Sequence, residues 1–214
     1  MGEYVDLLRS LPKVRRDVSE RKADKSPEVV AVARQFGAEY FDGDRKYGYG
    51  GYKYDGRWQP VAFDVTEHYG RGLKILDVGC AKGFLVGDLN PYGDVYGVDV
   101  SRYAVVEQPH SDVVGRLHLG LADDLPFPDK SFDLVLSLDT LHNLSRERCK
   151  RALQEIMRVS RGAAFVKVDA YETEEEKQRL QDWIITAEFW GAAEEWLQLF
   201  AEAGYTGDYC WTRV

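Results

Sequence analysis

The sequence is poor in the features that mark secreted, membrane-bound or nucleic-acid-binding chains. Its three cysteines, Cys80, Cys149 and Cys210, lie far apart with no CxxC pair. That argues against a zinc ribbon or a disulfide framework and predicts reduced thiols in a cytosol. No apolar run approaches the length of a membrane span, and the opening MGEYVDLLRS lacks the apolar core of a signal peptide. Asp6 stands where a myristoylation signal after Gly2 wants Ser or Thr. A cytoplasmic protein with no membrane partner is expected. Basic residues are in deficit, 28 Lys and Arg against 36 Asp and Glu, for a net charge of −8. A nucleic-acid partner calls for a basic face, so none is expected. The sequence shows no cluster of His, Asp and Glu at ligand spacing, and no metal is inferred.

What is present fits one folded unit. The 214 residues, 44% hydrophobic and 30% charged, can bury a sizeable core with a small N-terminal extension. We divide the chain into an N-terminal part, 1–58, and a core, 59–214. Tyr4 to Leu11 carries a short apolar stripe that predicts a helix, and 13–25 mixes both charges as a solvated helix face or linker. Ser26-Pro27-Glu28 is a helix start, with Gly37 as the stop. From Pro60 the rhythm becomes helix and strand in alternation. Strands are expected at 73–78, 95–99, 117–119, 132–138 and 163–168, with a last one in 205–214. Helices are expected between them, including one after Ser101 and a capping box at Thr173–Glu176. This pattern predicts an α/β, doubly wound, mostly parallel, Rossmann-like sheet of six or seven strands covered on both faces.

Residues 39–58 break the rhythm. They hold five of the 13 tyrosines and five of the 20 glycines, interleaved with charges, and fit neither helical nor strand periodicity. A long aromatic-rich segment of this kind reads as an ordered lid, or as a loop that only packs on the core.

In a doubly wound sheet the ligand sits at the carboxyl ends of the strands, so the turns there carry the chemistry. The first reads Leu76-Asp77-Val78-Gly79-Cys80-Ala81-Lys82-Gly83-Phe84. It is a tight turn of small residues between strand and helix, where a ligand can approach the backbone. A dinucleotide fold would show GxGxxG; here GxAxG stands instead, which argues against a nicotinamide-dependent oxidoreductase and suits a nucleoside with a short amino-acid tail. Asp99 ends the second strand, where a carboxylate can accept hydrogen bonds from both ribose hydroxyls or else cap the next helix.

LDVGCAKGF resembles motif I of the class I S-adenosylmethionine (SAM)-dependent methyltransferases, and VYGVDVS resembles their motif II. Residues 121–144 are similar to their adenine-binding and post-strand-four region, and 155–168 to the stretch leading into their fifth strand. The Tyr/Gly-rich segment together with EEWLQLFAEAGYTGDY resembles a bacterial small-molecule subfamily of capsule and natural-product pathways. The resemblance implies SAM as cofactor and a small-molecule methyl acceptor; a catalytically silent binding protein of the same fold is the alternative. It implies that Asp77 organises the motif I turn and that Gly79, Cys80 and Gly83 line the methionine moiety, with Ala81 in place of the usual middle glycine in an unstrained conformation. Asp99 would hold the ribose, Val100 the adenine face, and Ala122 and Asp123 the adenine edge, while Ser137 and Leu138 face the amine and methyl group. The family commonly has two strands after its last helix, whereas this chain has length for one clear strand.

Methyl transfer requires alignment, exclusion of water and removal of any acceptor proton. His142, just past the fourth strand, is the first candidate base, or a structural residue, and Asp139 is the second. Tyr49 is expected at the sulfonium, and Arg45, Lys46, Tyr47, Tyr52 and Arg57 at the acceptor; an anionic acceptor would need no base.

Overall fold

The computed structural model describes residues 2–12 and 17–213. Five strands run in parallel: β1 (Lys74–Val78), β2 (Asp94–Asp99), β3 (Leu117–Leu119), β4 (Phe132–Leu138) and β5 (Ser160–Tyr171). Their order is β3-β2-β1-β4-β5, which reverses direction between β1 and β4. β1 and β4 are buried along nearly their whole length, as expected of strands covered on both faces. Two more strands pair parallel with β5: β6 (Gly191–Ala192) near its end and β7 (Asp208–Thr212) along its middle. Every pairing among these strands is parallel, and β7 alone follows the last helix.

The helices are α1 (Val18–Asp24), α2 (Pro27–Ala33), α3 (Ala38–Asp42), α4 (Gln59–Tyr69), α5 (Phe84–Leu89), α6 (Arg146–Val159), α7 (Glu174–Trp183) and α8 (Ala193–Ala203). The pleat of the sheet divides the core. Leu134 and Leu136 point into one layer with Ile75, Val61 of α4 and Leu85 of α5. Val135, between them, joins Leu76, Leu153 of α6 and Trp196 of α8 in the other. α6 buries Cys149, Ala152, Leu153 and Ile156, one stripe at helical spacing. Burying Leu153 and Ile156 contributes roughly 1.5–3 kcal/mol each. The Thr173–Glu176 capping box forms as its sequence predicts.

The N-terminus differs from expectation. Tyr4 to Leu11 is not helical: Tyr4 bridges Tyr209 in parallel, and the Val5 amide donates to the Tyr209 carbonyl at 2.9 Å. The outer edge of β7 offers unpaired backbone groups, and they outweigh a weak helical stripe. Of the charged stretch, residues 13–16 lie outside the described residues. Ser101 caps the next element as expected, its Oγ accepting the Ala104 amide at 3.1 Å, but that element is a short π-type turn, Tyr103–Glu107.

Candidate active site

The turn after β1 is built around glycine. Gly79 has φ +84°, and a Cβ there would lie 1.9 Å from Thr140 Oγ1. Ala81 has φ +50°, in the left-handed region, rather than the unstrained conformation expected for it. Such a conformation costs an alanine roughly 1–2 kcal/mol. Asp99 offsets part of this cost, because its Oδ2 accepts the Ala81 amide at 2.8 Å. Its Oδ1 accepts the Ser101 amide at 2.8 Å, so the carboxylate caps the following turn and braces motif I together. Burial raises the Asp99 carboxyl above its usual range, and the amides of Ser101, Ala81 and Val100 hold part of that rise back.

These groups open into a cleft of about 320 Å³ at the switch point between β1 and β4. Gly79, Ala81, Asp99, Val100, Ala122 and Leu138 line it, as do Asp139 and Tyr49. Val100 and Leu121 are exposed by 51% and 41%, apolar surface suited to a purine face. Asn143 also lines the cleft, and its buried Oδ1 has no hydrogen-bond partner among the described residues. A carboxylate for hydroxyls, an apolar slot and an orphaned acceptor for an ammonium group match a nucleoside with an amino-acid tail.

Other residues assigned to the cofactor lie behind the wall. Asp77 and Cys80 are buried, and the Cys80 sulfur fills the space beside Gly97. Gly83 packs against Val113 and Leu117 and begins α5 in a left-handed conformation. Ser137 donates to the Val78 carbonyl at 3.0 Å. Asp123 is held by Arg148 and Arg151 at 2.8 and 3.1 Å, and these guanidiniums pull its carboxyl down to about 2. None of these five lines the cleft.

A second cavity, of about 190 Å³, adjoins the first, with Tyr40, Tyr49 and Asp139 lining both. Asp139, His142 and Asp169 lie in its wall, with Arg21, Arg45 and Trp183 also lining it. Asp139 has φ +54°, a strained position for a residue placed between two cavities. Its carboxylate accepts from Lys167 Nζ and from Thr212 Oγ1. Burial alone would raise this carboxyl; Lys167 and His142 beside it, with the hydrogen bonds, bring it below its ordinary range. The fold thus assembles three donor groups, on Asp139, His142 and Asp169, within 4.8 Å of one another, where the sequence shows no cluster. The Lys167 ammonium already supplies a cation to this group.

Segment 39–58 sits at the carboxyl ends of the strands. It is partly regular, with α3 and a 3-10 turn at Arg45–Tyr47, and is ordered by ring contacts. Tyr40 meets Tyr49 at 5.3 Å, Tyr49 meets Tyr52 at 4.3 Å, and Tyr52 stacks on Phe84 at 4.7 Å. Arg21 donates to the carbonyls of Arg45, Lys46 and Gly48 at 3.0–3.1 Å. Asp42 is tied to Lys82 and Tyr103 at 2.5 and 2.6 Å. Of the residues assigned to the acceptor, Arg45 lines the second cavity, and Lys46, Tyr47, Tyr52 and Arg57 line neither. Arg57 is held by Asp55 at 2.5 Å, Lys46 Nζ lies over the Tyr47 ring at 5.0 Å, and the Tyr52 ring is committed to Phe84.

Sequence reasoning missed Arg21, Tyr40, Lys167, Asp169 and Thr212. Lys167 and Asp169 left a signal, since they interrupt the otherwise apolar run AAFVKVDA. An isolated charge in a central strand is expensive unless it is paired.

The architecture is the class I, Rossmann-like methyltransferase fold. Residues 76–166 match the family model described as a methyltransferase domain. The chain is 36% identical over 129 residues to a demethylmenaquinone methyltransferase of Symbiobacterium thermophilum, covering 54% of this chain and 50% of that protein. It is 32% identical over 109 residues to YcgJ of Bacillus subtilis, an uncharacterized methyltransferase, covering 48% of this chain and 42% of the other. The chain spans half or less of the length of these relatives. The YcgJ crystal structure superimposes with a TM-score of 0.52 at 22% identity over 66% of each chain. A candidate methyltransferase from Bacillus halodurans gives 0.54 at 17% identity over 67% of this chain and 68% of its own. At 22% and 17% identity these solved structures show a shared fold.

Proposed function

We propose that this protein is a cytoplasmic SAM-dependent methyltransferase that methylates an oxygen or nitrogen of a small, polar, anionic metabolite, of the kind found in capsule or natural-product pathways. The observation that carries the reading is the pair of cavities that meet at Tyr40, Tyr49 and Asp139. The first suits the donor, and the second offers room for an acceptor beside it. SAM, when bound, supplies a methyl group activated by a sulfonium. Asp99 accepts from the ribose hydroxyls, Val100 and Leu121 flank the purine, and Asn143 Oδ1 accepts from the amino group. Tyr40 and Tyr49 exclude water and present ring faces to positive charge. Asp139 and His142 stand beside the acceptor, and Arg45 supplies positive charge in the same cavity.

SAM and S-adenosylhomocysteine should raise the melting temperature, and NAD and NADP should not. A ligand at a hundred times its dissociation constant contributes about 2.7 kcal/mol. Transfer of labelled methyl from SAM to a panel of small acids, phenols and amines then tests the activity. Stabilisation by NAD without any effect of SAM would end this reading.

A further inference from the structure

We infer that His142 acts as a fixed hydrogen-bond donor to the acceptor rather than as a base, and that the acceptor is an oxyanion that arrives already ionised. This rests on the methyltransferase reading above.

The argument starts from one nitrogen. His142 Nδ1 lies 3.2 Å from the Asp169 backbone amide, with hydrogen-bonding geometry. The Asp169 carboxylate is 3.5 Å from the same nitrogen, too far for a normal hydrogen bond. The amide belongs to β5 and is held in place by that strand, whose pairing with β7 runs as far as Asp169 and Thr212. An N–H aimed at Nδ1 needs the lone pair there, so the ring proton belongs on Nε2. An imidazole in that tautomer has no lone pair left on Nε2 to take a proton. It can only donate, and His142 lines the second cavity. Asp169 is therefore a positioning residue that acts through its backbone N–H.

Asp139 does not fill the vacant role. Lys167 and Thr212 both donate to it, and its carboxyl is held below the ordinary range. A carboxylate held in this way is a poor proton acceptor. The same cavity is lined by Arg21 and Arg45, both over the Trp183 ring, at 5.1 and 5.7 Å. Arg21 spends its hydrogen bonds on neutral carbonyls, and burial and the nearby Arg45 push it below its usual value. Two guanidiniums and an N–H donor make a site for negative charge, set against the carboxylate of Asp169 and that of Asp139, which Lys167 offsets.

The step then balances without a base. A lone pair on the acceptor oxygen forms the C–O bond as the C–S bond breaks, and that bond's electron pair stays on sulfur. The oxygen's negative charge and the sulfonium's positive charge cancel, and no proton leaves. The chemical class is an oxygen acid ionised at neutral pH, a carboxylate or a phosphoryl group.

Nitrogen NMR of the full chain, labelled at its four histidines, tests the tautomer without turnover, with His142→Gln used to assign the signal. We expect Nε2 to carry the proton and Nδ1 to show the shift of an unprotonated nitrogen. A protonated Nδ1 would overturn the inference whatever the activity. The turnover test uses labelled SAM with panels of small carboxylates, organic phosphates, phenols and amines. Carboxylates or phosphates should be methylated; transfer confined to phenols or amines would overturn the oxyanion assignment and leave the methyltransferase reading intact. On the best acceptor, His142→Gln keeps an N–H donor and should stay within about tenfold of wild type, whereas His142→Ala should fall about 10- to 150-fold. Loss of a general base would instead cost both variants about 10²–10⁴-fold, and that result would overturn the donor role.

Discussion

The two cavities share a wall, yet the chain builds them in different ways. The first cleft takes most of its lining from successive strand ends, those of β1, β2, β3 and β4, and its central contacts stay within or between adjacent turns. The second cavity gathers Arg21 from α1, Tyr40, Arg45, Gly48 and Tyr49 from the Tyr/Gly-rich segment, Asp139 and His142 after β4, Asp169 from β5 and Thr212 from β7. A site assembled from neighbouring turns is fixed by backbone geometry. A site assembled from remote segments is fixed by side-chain bonds, and it can change while the sheet stays as it is.

Substitutions can separate the halves. Asp99→Ala should have the largest effect, weakening S-adenosylhomocysteine binding by about 3–6 kcal/mol through two lost bonds to a charged acceptor. Calorimetry on the folded variant measures this, and wild-type affinity would mean that the donor does not sit on Asp99. Gly79→Ala comes next. Its Cβ meets Thr140 at 1.9 Å in a left-handed turn, and crowding with strain should cost about 2–5 kcal/mol of fold stability in denaturant titration.

Asp77→Asn sharpens the comparison through pH. Burial, and then the charge of Asp99, push the Asp77 carboxyl up to about 7. The unfolded group loses its proton near about 4, so the folded state holds the extra proton between those values. Stability therefore falls as pH rises through that window. The variant lacks this loss and should exceed wild type by about 4 kcal/mol at pH 8, with the gap closing towards pH 4. A gap independent of pH would show that Asp77 is not the titrating group. Arg45→Ala should have the smallest effect, a rise of about tenfold in acceptor KM, equivalent to about 1.4 kcal/mol, with S-adenosylhomocysteine affinity unchanged. Equal weakening of both ligands would erase the distinction between the halves.

That distinction also decides how much the sequence reveals. The strand ends and the placement of Gly79, Asp99 and Val100 in the cleft are legible because they depend on neighbours a few positions away. Asp123 misleads because its guanidinium partners lie a helix later, at Arg148 and Arg151. The apolar stripe at Tyr4–Leu11 misleads because the edge of β7 is invisible until the chain closes. Arg21 looks like one charge in a solvated run, yet it is 7% exposed and donates to three backbone carbonyls of segment 39–58. No local pattern encodes that contact, since its partners lie 24 to 27 positions away.

The wall formed by Tyr40, Tyr49 and Asp139 touches both cavities. Any rearrangement that one ligand imposes on these three side chains is felt by the other. Donor and acceptor affinities are then linked, and thermodynamics makes the linkage reciprocal: the factor by which one tightens the other is the same in either direction. An ordered donor ring against Tyr49 would pre-arrange the acceptor side, so the acceptor should bind more tightly to the donor-loaded protein than to the empty one.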